Sequence, residues 1–256
     1  MCNATGIAFG ERTLSADDIQ GRDILEVGAL DVNGSLRPHV EALGPARYVG
    51  VDIEHGPRVD EVVDARDLVA RFGPASFDVV ISTEMLEHVR DWPTVVTNLK
   101  GVLRPGGVLL ITTRSIGFAY HGFPFDFWRY EPDDMRAIFG DLDIAVIERD
   151  TASPGVFMLA RQRSPAVERT PAVALHSMIT GRREIRVSDT QVRVFNLRMR
   201  TGPIVARARD AAGSTASGLV RVARVRVARP IWVRMPAAVR RPIRRALGRD
   251  TARRAR

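Results

Sequence analysis

The chain has 256 residues, a mass of 28.3 kDa and one cysteine, Cys2. It is long enough to bury a core unaided, while a lone cysteine excludes an intramolecular disulfide framework and any Cys-rich zinc site. The net charge of +8 conceals a division. Residues 1–160 carry 14 basic against 25 acidic side chains, and residues 161–256 carry 24 against 5. An acidic segment of net −11 is therefore joined to a basic one of net +19 near residue 160. The longest stretch free of Asp, Glu, Lys and Arg is the 12 residues from Thr170 to Gly181, short of the ~20 that a spanning helix needs. The first residues, MCNATGIAFGERT, lack the basic and apolar regions of a signal peptide. These features lead us to expect a cytoplasmic protein, peripheral to a membrane if its basic end finds an anionic surface.

In chain order, strands are expected at Asp23–Gly28, Arg47–Asp52, Phe77–Ser82 and Val108–Thr113. Each is apolar on successive rather than alternate residues, as strands covered on both faces of a parallel sheet are. Helices are expected between them. Ser35–Leu43 has Ser35 as N-cap and Pro38 tolerated in the first turn, and Trp92–Leu103 is stopped by a turn at Arg104-Pro105-Gly106-Gly107. A short helix at Glu131–Phe139 precedes two last strands, Asp143–Glu148 and Val156–Arg161, joined through Ser153-Pro154-Gly155. The fold class is α/β: a Rossmann-like, doubly wound sheet closed by an antiparallel hairpin.

Beyond Arg163 the pattern weakens. Val187–Leu197 alternates faintly and reads as a strand, and Ala206–Ser217 reads as a linker. From Leu219 the chain is mostly Arg, Val, Ala and Pro, with Pro230, Pro236 and Pro242 barring a long helix. The expected organisation is a main α/β domain at 1–163, an irregular extension at 164–218 and a basic tail at 219–256.

The segment from Glu26 to Gly34, EVGALDVNG, lies where the first strand hands over to a helix, the place where open α/β sheets bind nucleotides. Gly28 lets a ligand approach the backbone. Leu30 stands where a dinucleotide fingerprint would need glycine, which argues against a dehydrogenase. Asp52, at the end of the second strand, can accept hydrogen bonds from both hydroxyls of a ribose.

The ordered pieces ILEVG with Asp31 and Gly34, YVGVDIE, VDARDL, FDVVISTEMLEHVRD, LKGVLRPGGVLLITT and FDFWRYEPDDMRAIF together resemble class I S-adenosylmethionine-dependent methyltransferases across most of residues 15–162. The resemblance implies a seven-stranded sheet with a terminal hairpin and S-adenosylmethionine as cofactor. It implies that Glu26, Gly28 and Asp31 line the methionine end, Asp52 and Ile53 the ribose and adenine, Asp64 and Ala65 the adenine edge, and Ser82 to Glu84 the ammonium side. The stretch Glu84–Val89, EMLEHV, is similar to that of the quinone-biosynthesis O-methyltransferases, in which acidic residues and histidine of this segment are associated with a divalent metal. Here Glu87 and His88 are adjacent and point different ways on a helix, so a structural Glu87 and no metal are expected.

His88 is the candidate general base, because a histidine accepts a proton near neutrality; a packing role is the alternative. Seven of the 16 aromatic residues fall between 115 and 130, enough to build an apolar cover over the site. Phe127 and Trp128 are expected to fasten it, leaving Tyr120, His121 and Phe123 as acceptor contacts. The expected activity is methyl transfer to a hydroxyl of a small or glycan-like molecule. The alternative is a non-catalytic binding protein acting through its basic tail on an anionic membrane or, less in keeping with its few aromatics, nucleic acid.

Overall fold

The computed structural model describes residues 3–122, 125–165 and 172–199, so Phe123 and the expected basic tail lie outside the described residues. The chain divides into two units, Met1–Arg193 and Val194–Arg256, and of the second the described residues 194–199 are helical.

The first unit contains ten strands among its described residues: β1 (Asp23–Val27), β2 (Arg47–Asp52), β3 (Glu61–Val62), β4 (Phe77–Thr83), β5 (Leu103–Arg114), β6 (Trp128–Arg129), β7 (Asp143–Arg149), β8 (Gly155–Arg161), β9 (Leu175–Ser177) and β10 (Arg183–Glu184). Its helices are α1 (Ala4–Thr13), α2 (Ala16–Ile19), α3 (Arg37–Ala42), α4 (Leu68–Phe72), α5 (Trp92–Gly101) and α6 (Pro132–Phe139), with 3-10 turns at Ala65–Asp67 and Leu86–His88.

Seven strands form one sheet in the order β3-β2-β1-β4-β5-β8-β7. The first five are mutually parallel, whereas β8 runs antiparallel to both β5 and β7, giving the terminal hairpin expected from the sequence. The runs of successive apolar residues do cover both faces. Ile24, Val79, Ile81, Val108, Leu110, Phe157 and Leu159 meet Phe9, Leu14, Ile19, Leu36 and Val40 of the N-terminal helices and the segments flanking them. The alternate residues Leu25, Val80, Leu109, Ile111 and Met158 are equally buried, as are Val95, Val96 and Leu99 of α5. At about 25 cal/mol per Å² of apolar surface removed from water, these two layers supply the main drive to fold.

Three local expectations are corrected. Helix α3 starts at Arg37 with Leu36 in the cap position, while Ser35 Oγ accepts a hydrogen bond from the Arg37 N–H at 3.1 Å. The Arg104–Gly107 segment does not end in a free turn. It is taken into β5, where Gly106 at φ +77° and a register shift opposite Phe77 and Val79 absorb it. Residues 189–199 are helical rather than extended. Ser188 and Gln191 form a reciprocal cap: the Ser188 N–H donates to Gln191 Oε1 at 2.6 Å, and the Gln191 N–H donates to Ser188 Oγ at 3.3 Å.

A second sheet, β10-β9-β6, lies within the same unit. Strand β9 pairs Ser177 with Trp128 and His176 with Arg129, so the segment after the main sheet returns to the aromatic stretch. Among the described residues no helix is long and apolar enough to cross a membrane.

Candidate active site

Chain order reverses between β1 and β4, and the loops leaving their C-terminal ends part there. A cleft of about 950 Å³ opens at this point, and its lining includes Gly28, Asp52, Asp64, Glu84, His88 and Phe125. The first wall is the loop after β1. Gly28 has φ +84°, and a Cβ there would stand 2.8 Å from Met85 Cβ, so only glycine fits both the backbone and the space. The N–H groups of Gly28 and Ala29 donate to the Val51 carbonyl at 2.9 and 3.0 Å, and the Leu30 N–H donates to Asp52 Oδ2 at 3.1 Å. Leu30 therefore sits in a loop that β2 holds in place.

Asp52 also accepts the Glu54 N–H on Oδ1 at 3.3 Å. A carboxylate has about four acceptor positions, so two remain for a ligand. Ile53 is 59% exposed and lines the cleft beside it. Asp64 caps the Ala65–Asp67 turn through the Arg66 N–H at 2.9 Å. Hydrogen bonds from the Arg66 guanidinium outweigh the effect of burial and hold the Asp64 carboxyl below the usual range.

Glu84 forms the floor. Its backbone is left-handed at φ +52°, a conformation a non-glycine residue keeps only where its surroundings impose it. Its N–H donates to Thr112 O at 2.8 Å, and its carboxylate pairs with Arg114, which lies under the Phe118 ring at 4.1 Å. Burial, then the Glu87 charge, push the Glu84 carboxyl up to about 8 against the pull of Arg114. A cationic ligand group would return it to the charged form.

Other expected site residues lie behind this surface. Glu26 is buried and accepts the Tyr48 hydroxyl at 2.8 Å, and burial raises its carboxyl to about 7. Asp31 closes its own loop by accepting the Gly34 N–H at 2.9 Å and Arg58 Nε at 3.0 Å. Ser82 is fully buried, and its hydroxyl makes no hydrogen bond among the described residues. Tyr120 and His121 are half-buried outside the cleft lining.

On the other side of Glu84, the 3-10 turn Leu86–His88 is held by aromatic residues. The Phe127 N–H donates to Glu87 O at 2.7 Å, Tyr130 Oη to Leu86 O at 3.2 Å, and Trp128 Nε1 to Val89 O at 3.0 Å. Phe127, Trp128 and Tyr130 are buried, which gives the first two the fastening role expected of them. His88 Nδ1 lies 2.7 Å from the Phe125 carbonyl. A carbonyl only accepts, so Nδ1 carries the proton and Nε2 of the neutral ring keeps its lone pair.

The compact turn brings together side chains that an α-helix would have separated. Glu87 Oε1 is buried, makes no hydrogen bond among the described residues, and lies 3.9 Å from His88 Nε2 and 3.7 Å from His121 Nε2. Glu87, His88 and His121 form the group among the described residues whose ligand atoms, all within 4.8 Å, could gather around a metal ion. A cation is already supplied by protein. His121 Nδ1 lies 2.8 Å from Asp126 Oδ2, and Asp126 is in turn bound by the buried Arg129 guanidinium, Nη2 to Oδ2 at 2.6 Å. Burial opposes a charged ring, but Asp126 and Glu87 outweigh it and push His121 up to about 9. Sequence reasoning missed Asp126 and Arg129, a charge pair three residues apart in a segment with no helical pattern to flag it.

Residues 8–140 match the model of a family described as a methyltransferase domain. A ubiquinone biosynthesis O-methyltransferase of Idiomarina loihiensis is 34% identical over 110 residues, 38% of this chain and 44% of that protein. A probable phthiotriol/phenolphthiotriol dimycocerosates methyltransferase of Mycobacterium ulcerans is 34% identical over 108 residues, covering 38% and 41%. The chain thus spans under half the length of these relatives. Among solved structures, an N-methyltransferase of Burkholderia thailandensis with bound 1,6-didemethyltoxoflavin and S-adenosylhomocysteine aligns at TM-score 0.49 and 17% identity, over 62% of this chain and 78% of that one.

Proposed function

The chain belongs to the methyltransferase-domain family, and from that premise we propose that it moves a methyl group from S-adenosylmethionine to a hydroxyl oxygen of a small-molecule or glycan-like acceptor. The observation that carries this reading is the cradle at the switch point. A glycine that tolerates no Cβ, a carboxylate with acceptor positions to spare and a buried glutamate meet in one cleft beside His88. The residues fit the cofactor. Asp52 would take the ribose, Ile53, Asp64 and Ala65 the adenine, Gly28 the backbone approach and Glu84 the ammonium, and Asp52, Asp64 and Glu84 together favour a cation. The sulfonium supplies an already electrophilic methyl group. The chain therefore has to bind, orient and exclude water rather than activate an electrophile, and no catalytic triad is needed.

His88 Nε2 is the group that would take the acceptor's proton. Phe125 O fixes the tautomer from one side, and Glu87 stabilises the imidazolium that forms on the other. Membership of a methyltransferase family favours turnover over a purely binding role. Radiolabelled S-adenosylmethionine incubated with fractionated hydroxylated metabolites tests the reading. Label should pass to an oxygen of an acceptor, and recovery of label only on nitrogen or carbon would overturn the hydroxyl assignment.

The charge division of the sequence supports a second element, attraction of the +19 segment to an anionic membrane. A basic residue near such a surface contributes about 1 kcal/mol, and Trp232 within Ile231-Trp232-Val233 adds an interfacial anchor. Full-length protein should float with anionic liposomes at low salt and be released at high salt, and a chain ending at Ser217 should not float. Equal behaviour of the two would remove the membrane from the account.

A further inference from the structure

Resting on the proposed methyl transfer, we infer that the acceptor carries an anionic oxygen group, a carboxylate or phosphate, and that Arg186 is the residue that recognises it. Arg186 lies 46 residues beyond the end of the family match at 140, in a segment that the match does not include. That segment is nevertheless built into the cleft, which both Arg186 and Val187 line, together with His88, Phe125 and Phe127.

The segment is fastened at several points around Arg186. Strand β9 pairs with β6, and the Met178 N–H donates to Phe127 O at 2.8 Å. Arg183 pairs with Asp134 of α6. Arg90 closes a fork on the Val187 carbonyl, Nε at 2.9 Å and Nη2 at 2.6 Å, and its Nη1 reaches Asp189 at 2.6 Å. Val187 is only 4% exposed, and Arg186 before it lines the cleft with an exposed side chain.

The cations of this cleft differ in one respect. Arg66 is spent on Asp64 and Arg90 on Asp189, whereas Arg186 makes no ion pair or hydrogen bond among the described residues. The carboxylates Asp52, Asp64 and Glu84 belong to the β2, β3 and β4 ends of the cleft, with Glu54 beside Asp52. The wall formed by Phe125, Phe127 and Val187 is apolar, and the ionisable side chains that line the cleft beside it are His88, Arg90, Asp91 and Arg186, of which Arg90 is taken up by Val187 and Asp189. A flat apolar body with a hydroxyl at one place and an anion at another is the complement of that wall. A guanidinium fork binds planar oxyanions through two parallel hydrogen bonds, so fixing the anion also fixes which hydroxyl faces His88.

The test measures binding of hydroxybenzoates and a hydroxyphenyl phosphate, each against a neutral counterpart (the methyl esters and hydroquinone), to full-length protein with and without S-adenosylhomocysteine. Wild type should bind at least one anionic series about 10 to 100 times more tightly than its neutral partner, and Arg186→Gln should bring that pair to within about 2-fold with an unchanged melting temperature. The series that discriminates identifies carboxylate or phosphate. Absence of discrimination in wild type, or discrimination that survives in Arg186→Gln, overturns the assignment. So does a loss of S-adenosylhomocysteine affinity in Arg186→Gln without acid–ester discrimination, which would give Arg186 to the cofactor's own carboxylate. Failure of S-adenosylhomocysteine to bind wild type would instead contradict the proposed cofactor while the arm without it still reads the anion preference.

Discussion

The backbone N–H of Leu30 donates to the carboxylate of Asp52 across the loop after β1, at 3.1 Å. The residue that departs from the usual glycine pattern is thus tied to the residue that ends the second strand. A substitution at Gly28 would disturb this loop from within. Gly28→Ala forces a Cβ onto Met85 in a left-handed backbone, which costs about 1 to 2 kcal/mol before any clash is relieved. We expect a lower melting temperature together with loss of S-adenosylmethionine binding at concentrations that saturate wild type. Unaltered binding would show that the loop does not touch the cofactor.

His88→Ala should lower kcat by roughly 100-fold or more and leave the affinity for S-adenosylmethionine nearly unchanged. Steady-state kinetics paired with calorimetry on the variant separate the roles. A drop in melting temperature with turnover per folded molecule intact would assign His88 to packing against Phe125.

The Asp126–His121 pair gives a pH dependence with a definite sign. His121 is raised from 6.5 to about 9 in the folded protein, so its contribution is complete below pH 6.5 and is lost as the pH rises through about 9. Asp126 is depressed, so its contribution holds at neutrality and is lost only in acid. His121→Gln should therefore cost on the order of 2 kcal/mol near pH 6 and little near pH 10, read as the difference in denaturation free energy between wild type and variant. A constant difference across that range would mean that His121 is not held as a cation.

The chain's one lysine is buried. Lys100 Nζ donates to Asp141 Oδ1 at 2.6 Å and to Ile138 O at 2.8 Å, joining α5 to the end of α6. Lys100→Met removes the buried cation beside the Asp141 carboxylate and should cost about 3 to 5 kcal/mol in urea unfolding, while adding Asp141→Leu should recover most of it. If the double variant is no more stable than the single one, the pair is not coupled in this way.

Much of the sheet was legible because burial on both faces leaves a direct trace, an unbroken apolar run such as Val79-Val80-Ile81 or Leu109-Leu110-Ile111. Asp52 was legible because it ends such an apolar run, whereas Asp64 came from the family resemblance alone, since the two-residue strand before it is too short to leave a pattern. The pairing of His121, itself an expected acceptor contact, with Asp126 and Arg129 was not legible, since it depends on a loop path that no periodicity encodes. Arg104–Gly107 misled because its turn composition is outweighed by pairing of the flanking Leu103 and Val108 with β4 and by hydrogen bonds of Gly106 and Gly107 with Gln162. The helix at 189–199 did leave a sign, the Ser188-x-x-Gln191 capping box, which the weak alternation of Val187–Leu197 obscured.

The most direct test of the central claim is calorimetric titration of S-adenosylmethionine into wild-type protein and into Asp52→Ala. The variant loses two charge-assisted hydrogen bonds to the ribose along with the tether to Leu30, so its affinity should fall by about 30- to 1000-fold, equivalent to roughly 2 to 4 kcal/mol. Equal affinities in the two proteins, or a preference of wild type for a nicotinamide dinucleotide, would contradict the account.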